Sequence, residues 1–314
     1  MTTLSPTRPA RGGTSRRSYS AIPGESPGTP PWRALKSLFL LICVLLVVLP
    51  FLAIISTSIA SPDQITKAGG FVLWPDSPTF ESYSALLSGG LVSQAMMVSV
   101  GVTVVGTALS LATSILLAYG LSRPGSFGHK PVLMLLLMSL LFVPGVIPTY
   151  LMVKQLGLIN SYWSLILPTM VNAFNVIVLR SFFMSLPREL IDAARIDGAS
   201  EWSILTKIVI PLSKASIGVI GLFYAVTYWN AFFNALLFMN DAAKWPMQLV
   251  LRTYVVNNAS LSGGQLDVAA GVPVPPAQSL QAAILVLSIV PIVLVYPFVQ
   301  RHMNKGVMIG AVKG

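Results

Sequence analysis

The sequence predicts an all-α membrane protein of six transmembrane helices with both termini in the cytoplasm, and three observations predict it. Of 314 residues, 54% are hydrophobic and 10% charged, with a mean hydropathy of +0.76, whereas a soluble domain carries about 25% charged residues. Apolar runs recur along the chain, each of about 20 residues, enough at 1.5 Å rise for a hydrocarbon core of roughly 30 Å. Lys and Arg are shared unevenly between the segments joining those runs, which fixes orientation. One cysteine, Cys43, and two histidines, His129 and His302, exclude a disulfide framework and Cys/His metal sites.

Residues 1–31 hold six prolines and four arginines among many Ser, Thr and Gly. So little apolar surface cannot offset ordering entropy, and the segment reads as a disordered cytoplasmic tail ahead of a membrane domain at 32–314. The first span, 38–55, follows Arg33 and Lys36. Ser58-Ile59-Ala60 loosely resembles a signal cleavage site, but the apolar run exceeds the roughly 7–15 residues of a signal core, so the helix is retained. The other spans lie at 94–121, 131–153, 162–183, 217–238 and 280–300.

Between the spans, the amino tail carries six Lys and Arg, the loop at 122–130 two, the loop at 180–214 five and the carboxyl tail three. The alternate loops carry only Lys67, Lys154, Lys244 and Arg252. Acidic residues divide five and five, giving +11 on one side and −1 on the other. The net +10 is therefore a topology signal, which places a multi-pass protein in a bacterial cell membrane and excludes a nucleic-acid role; it also suits anionic lipid headgroups.

The chemistry that is missing narrows the function. No glycine is followed by lysine, so there is no G-x-x-x-x-G-K-[ST] phosphate loop and no nucleotide site on this chain. The span cores lack Asp, Glu, Lys, Arg and His, with Arg180 only at the end of the fourth, so a proton relay is absent. Sodium coupling through carbonyls and hydroxyls stays open, as does a pore powered by another subunit. A membrane-embedded enzyme, which would need paired carboxylates, histidines or a metal, is disfavoured.

The scarce charged residues gather partly in the loop at about 185–212. Pro187 suits the first turn of a helix. Leu190, Ala193, Ala194 and Asp197 then share a face, and Gly198 supplies a turn. Ser200 caps a second helix with Glu201 in its first turn, and Trp202, Leu205, Ile208 and Val209 share a face until Pro211 ends it. By periodicity two readings stand: a rigid lever for a cytoplasmic partner, or an amphipathic helix pair lying on the membrane.

The pattern Asp192-Ala193-Ala194-x-x-Asp197-Gly198-Ala199, followed by Ile208 and Pro211, resembles the EAA loop of ABC importer permeases. Leu186-Pro187, Ser200, Trp202 and Pro211-Leu212-Ser213-Lys214 make it similar to the sugar-importing branch, and to the second permease of maltose-type systems. The carboxyl end from Tyr296 to Gly314 resembles the oligosaccharide subgroup. The resemblance spans about 35–314. It departs from the family at Asp192, usually Glu, which shortens the reach by one methylene, and at Leu205, Ile210 and Ala215, usually Phe, Leu and Pro.

The resemblance implies a six-helix permease that pairs with a second permease and binds no cofactor itself. ATP and Mg would sit on a dimeric cytoplasmic ATPase, and an extracytoplasmic binding protein would deliver a carbohydrate. It implies that Asp192, Ala193, Ala194, Asp197, Gly198 and Ala199 contact the ATPase, while Trp202, Leu205, Ile208 and Pro211 anchor the loop to the bundle. The carboxyl tail from Lys305 would reach toward the ATPase or serve as a positive anchor.

The substrate path is less sharply marked. Thr169, Asn172 and Asn175 follow Pro168, and Tyr224, Thr227, Tyr228, Trp229, Asn230 and Asn234 cluster in the fifth span. Amides can exchange hydrogen bonds with sugar hydroxyls and aromatic faces can cover sugar C–H surface, yet the same groups serve as interhelical glue. The exterior loops, with Trp74-Pro75-Asp76 in one and Trp245-Pro246 and the Gly/Pro-rich stretch 261–276 in the other, suit a binding protein or simple connection. A sugar carrier working alone, sodium-coupled or facilitative, a scaffold, and an importer of a non-sugar solute are the alternative readings.

Overall fold

A computed structural model describes residues 30–88, 90–123, 125–256 and 275–311. Among these every regular element is helical. The expectations for the tail at 1–29, the loop stretch at 261–274 and the final residues 312–314 fall outside the described part. The chain divides into two units, residues 1–51 and 52–314. The described part of the first unit is helical, within α1 (Pro30–Ile59), and its apolar side chains from Leu38 to Leu49 are exposed.

The second unit continues with short α2 (Pro62–Lys67) and α3 (Glu81–Ser88), then the long α4 (Leu91–Ser122). Next come α5 (His129–Leu141), α6 (Val146–Gln155), α7 (Trp163–Thr169) and α8 (Ala173–Met184). The loop follows as α9 (Arg188–Ile196) and α10 (Glu201–Leu212), and then α11 (Lys214–Trp229), α12 (Phe232–Phe238), α13 (Met247–Val256) and α14 (Ala277–Ala311).

By length and composition α1, α4 and α14 can each cross a membrane alone, while α7 with α8 and α10 with α11 reach that length and hydropathy only as pairs bent by 52° and 84°, each a broken span or a re-entrant loop. The expected third span is not one helix. It is α5 and α6, interrupted at Phe142–Gly145. Pro144 has no N–H to donate and keeps Val143 out of the helical region, while Pro148 is tolerated in the first turn of α6. The fourth span breaks after Pro168, and α8 restarts at Asn172, whose Oδ1 accepts from the Asn175 N–H at 3.1 Å. The fifth breaks at Asn230 and Ala231, between α11 and α12.

The centre of the second unit is α4, which packs on α11, α8, α13 and α3. Its buried positions advance by three or four residues, from Val92, Ala95, Ser99 and Val102 to Gly106, Ser110, Ser114 and Ala118. Most are small. Lipid tails are as apolar as side chains, so close approach and hydrogen bonds, not hydrophobic burial, favour such contacts. Tyr228 and Tyr224 of α11 fill the face: their hydroxyls lie 2.7 Å from the Oγ of Ser110 and Ser114 respectively. Toward the other end of α4, Ser99 Oγ accepts from the Met247 N–H at 2.7 Å, joining α13 to a second core of Leu86, Val92, Val250, Tyr254, Leu280 and Ile284.

Candidate functional site

The loop at 185–212 folds as two helices about a turn. Pro187 stands just outside α9 at the capping position. At the other end, the Gly198 N–H reaches the Arg195 carbonyl at 3.0 Å and the Ala199 N–H reaches the Ala194 carbonyl at 2.9 Å. With Gly198 at φ +80°, this pair of bonds is a Schellman cap, and a side chain there would be strained although space around it is open. Ser200 then caps α10, its Oγ accepting from the Ser203 N–H.

Across α9, Ile191 is buried and Ala194 packs on the core, as does Ala199 beyond the turn. The opposite face, with Leu190, Ala193 and Asp197, is exposed, and Ile196 beside it is 86% exposed. On α10 the expected anchor is corrected in part. Leu205 is buried and Ile208 half-buried, but Trp202 is 66% exposed and Pro211 is exposed too. The residues that face inward are Ile204, Leu205 and Val209. That face already runs through Glu201, Ile204 and Leu205, which leaves Trp202 off it, and a π turn over Leu205–Val209 then adds a residue to the repeat before Val209. Pro211 cannot give Lys207 an N–H and its ring crowds that carbonyl, which favours the wider turn.

Four side chains tie this loop to the end of α4. Arg195 donates from Nε (3.0 Å) and Nη2 (2.7 Å) to one oxygen of Glu201. The other oxygen accepts from the Tyr119 hydroxyl, and Arg123 donates to that same hydroxyl at 3.0 Å while its guanidinium lies 4.6 Å over the ring. Arg123 Nε lies 3.9 Å from Glu201, and Arg195 3.8 Å from Asp192. The Tyr119 hydrogen bond and the two arginines hold the Glu201 carboxyl below its ordinary value of 4.5, against a smaller effect of burial. Nearby, Arg180 Nε donates to the Leu121 carbonyl at 2.8 Å. Sequence reasoning read Glu201 only as a partner of the helix dipole. Tyr119 is 82 residues away, so no local spacing marks the pair.

The polar residues of the fourth and fifth spans separate into two groups. Tyr224 and Tyr228 are buried; Tyr224 also accepts the Asn172 N–H at 3.1 Å, and Tyr228 donates to the Ile166 carbonyl at 3.3 Å. Trp229 is buried and donates to the Ser288 carbonyl. Asn175 is buried near the start of α8, while Thr169 and Thr227 bond carbonyls of their own helices. Asn172 and Asn230 are exposed, each at a helix break, and Asn234 is half-buried on α12. Asn230 Nδ2 donates to the Val226 carbonyl. Arg252 of α13 stands 5.0 Å over the Phe232 ring of α12, and none of the ion pairs among the described residues involves it.

Residues 28–309 match the family described as binding-protein-dependent transport system inner membrane component. The polygalacturonan/rhamnogalacturonan transport system permease protein YtcP of Bacillus subtilis (strain 168) is 45% identical over 276 residues, 88% of this chain and 96% of the relative. Protein LplC of the same organism is 44% identical, covering 85% of this chain and 90% of its own. A chain from the crystal structure of a bacterial ABC transporter involved in import of the acidic polysaccharide alginate superposes with a TM-score of 0.81 at 30% identity, over 89% of this chain and 99% of that one.

Proposed function

We propose, because the chain belongs to the family of binding-protein-dependent transport system inner membrane components, that it is a membrane-embedded permease subunit of an ATP-driven importer of oligosaccharides. The reading has both termini in the cytoplasm and six spans, with α5 and α6 together making the third. A second permease completes the path, a dimeric ATPase holding ATP and Mg binds the loop at 185–212, and an extracytoplasmic binding protein delivers the sugar.

The observation that carries the coupling is the capped helix–turn–helix at 188–212, whose inner face is packed and whose outer face offers Leu190, Ala193, Ile196 and Asp197. A lever must be stiff, and the Schellman bonds at Gly198 make it so. Closure of the ATPase dimer would move α9, and the bundle would pass from inward-facing to outward-facing.

For the path, backbone that leaves the helix at membrane depth must line water or protein, because lipid cannot satisfy it. The break at 142–145 lies about 20 Å along α5, and the one before α8 about 18 Å from that helix's far end, by rise per residue. With both helices entering from the cytoplasmic face, as this reading has it, the two breaks sit at similar depth. Asn172 and Asn230, exposed beside two breaks, support a role in contacting sugar; Tyr224 and Tyr228 serve as glue. The alginate and polygalacturonan relatives favour a uronate-bearing oligosaccharide, and the exposed guanidinium of Arg252 suits a carboxylate on it.

The test is Gly198→Val in cells taking up a labelled oligogalacturonide, with membrane insertion checked in parallel. A β-branched residue at positive φ costs of order 1–3 kcal/mol locally. Uptake should be abolished with the protein still inserted; normal uptake would sink the reading.

A further inference from the structure

We propose that Tyr119, Arg123, Arg195 and Glu201 form a rigid joint that delivers the movement of the coupling loop to α4, an inference that rests on the importer reading above. Three features carry it. First, the Glu201 carboxylate is shared: one oxygen takes two N–H groups of Arg195 from the end of α9, and the other takes the Tyr119 hydroxyl from the last turn of α4. The turn around Gly198 is thereby closed across its mouth and pinned to a membrane helix by a single group. Second, Arg123, only 17% exposed at its side chain, backs the joint by donating to Tyr119 and stacking on its ring. Third, the helix so gripped is the one against which α3, α8, α11 and α13 pack.

A loop held only by Ile191, Ile204, Leu205 and Val209 could slide on apolar contacts, which lack direction. Hydrogen bonds to one carboxylate from two helices fix direction as well as distance. Force applied to α9 then reaches Tyr119 without being absorbed in the turn. Tyr119 and Glu201 are positioning residues in this account, since neither touches sugar or nucleotide.

The experiment uses the complete transporter, copurified through a tag on this chain and placed in proteoliposomes with its binding protein. The readout is labelled oligogalacturonide imported per ATP hydrolysed. Glu201→Gln and Tyr119→Phe should each keep the ATPase subunits bound and hydrolysis near the wild-type rate, yet lower that ratio about fivefold. The double variant should fall no further than the worse single, because both remove one joint.

An unchanged ratio in both single variants would overturn the proposal, and so would losses that multiply in the double. Uptake that falls only in proportion to the ATPase copurified, with the ratio constant, would assign the cluster to folding alone and also overturn it. Should Glu201→Gln fail to assemble, Tyr119→Phe decides, since it leaves the ring and the Arg195–Glu201 pair in place. A wild-type transporter whose uptake consumed no ATP would refute the importer reading instead.

Discussion

Glu201 accepts from Arg195 across the turn and from Tyr119 of α4, and its protonation state therefore sets the stiffness of the turn and its tie to α4. Tyr119, Arg195 and Arg123 favour the carboxylate, which places its folded value below 4.5. A depressed carboxylate contributes stability above its unfolded value and loses it as pH falls through the folded one. The joint should be intact at neutral pH and loosen only below 4.5. Trp202, exposed and adjacent, reports it: with the other five tryptophans replaced by Phe, its fluorescence should change in that acid range. Glu201→Gln should remove this transition.

At the scale of elements, α4 and α11 meet through small residues, and Gly106 is the tightest point. A Cβ there would lie 2.9 Å from three carbons of the Tyr228 ring. Gly106→Ala should lower stability in detergent by about 1–3 kcal/mol, the usual cost of overpacking. Gly101→Ala, with nothing within 4 Å, should leave the unfolding temperature nearly unchanged. The difference between the two midpoints checks the contact.

The helix–turn–helix at 188–212 is legible because its signals are local, Gly198 for positive φ and Ser200 for the cap, whereas the expected face of α9 divides, with Ala194 turned inward beside Ile191 and Leu190, Ala193 and Asp197 exposed. The exposure of Trp202 escapes local spacing, since the inner face of α10 runs through Glu201, which meets Tyr119 82 residues away, and the buried Ile204 and Leu205. The three interrupted spans read as continuous since a hydropathy run averages over Pro144-Gly145, Pro168 and Asn230. The glue role of Tyr224 and Tyr228 could not be chosen over sugar contact, since their serines lie 110 and 118 residues away.

For the whole molecule, orientation rests on charge. With +11 on one side and −1 on the other, the excess is large compared with the change from one substitution. A phosphatase active only outside the cytoplasm, fused after residue 314, should be silent, and the same enzyme inserted at 76–78 should be active. The reverse pattern would invert the topology. The scarcity of ionisable groups in the span cores is evident in the sequence alone.

The spacing of four along α4 has a mechanical consequence. If α11 slipped one turn toward Ala118, the Tyr224 hydroxyl would face Ala118 and find no partner, and the Tyr228 ring would strike Ser110. A slip the other way would set the Tyr228 hydroxyl opposite Gly106, again alone. Two unlike tyrosine contacts thus act as a key with one cut, and α4 and α11 have a single register.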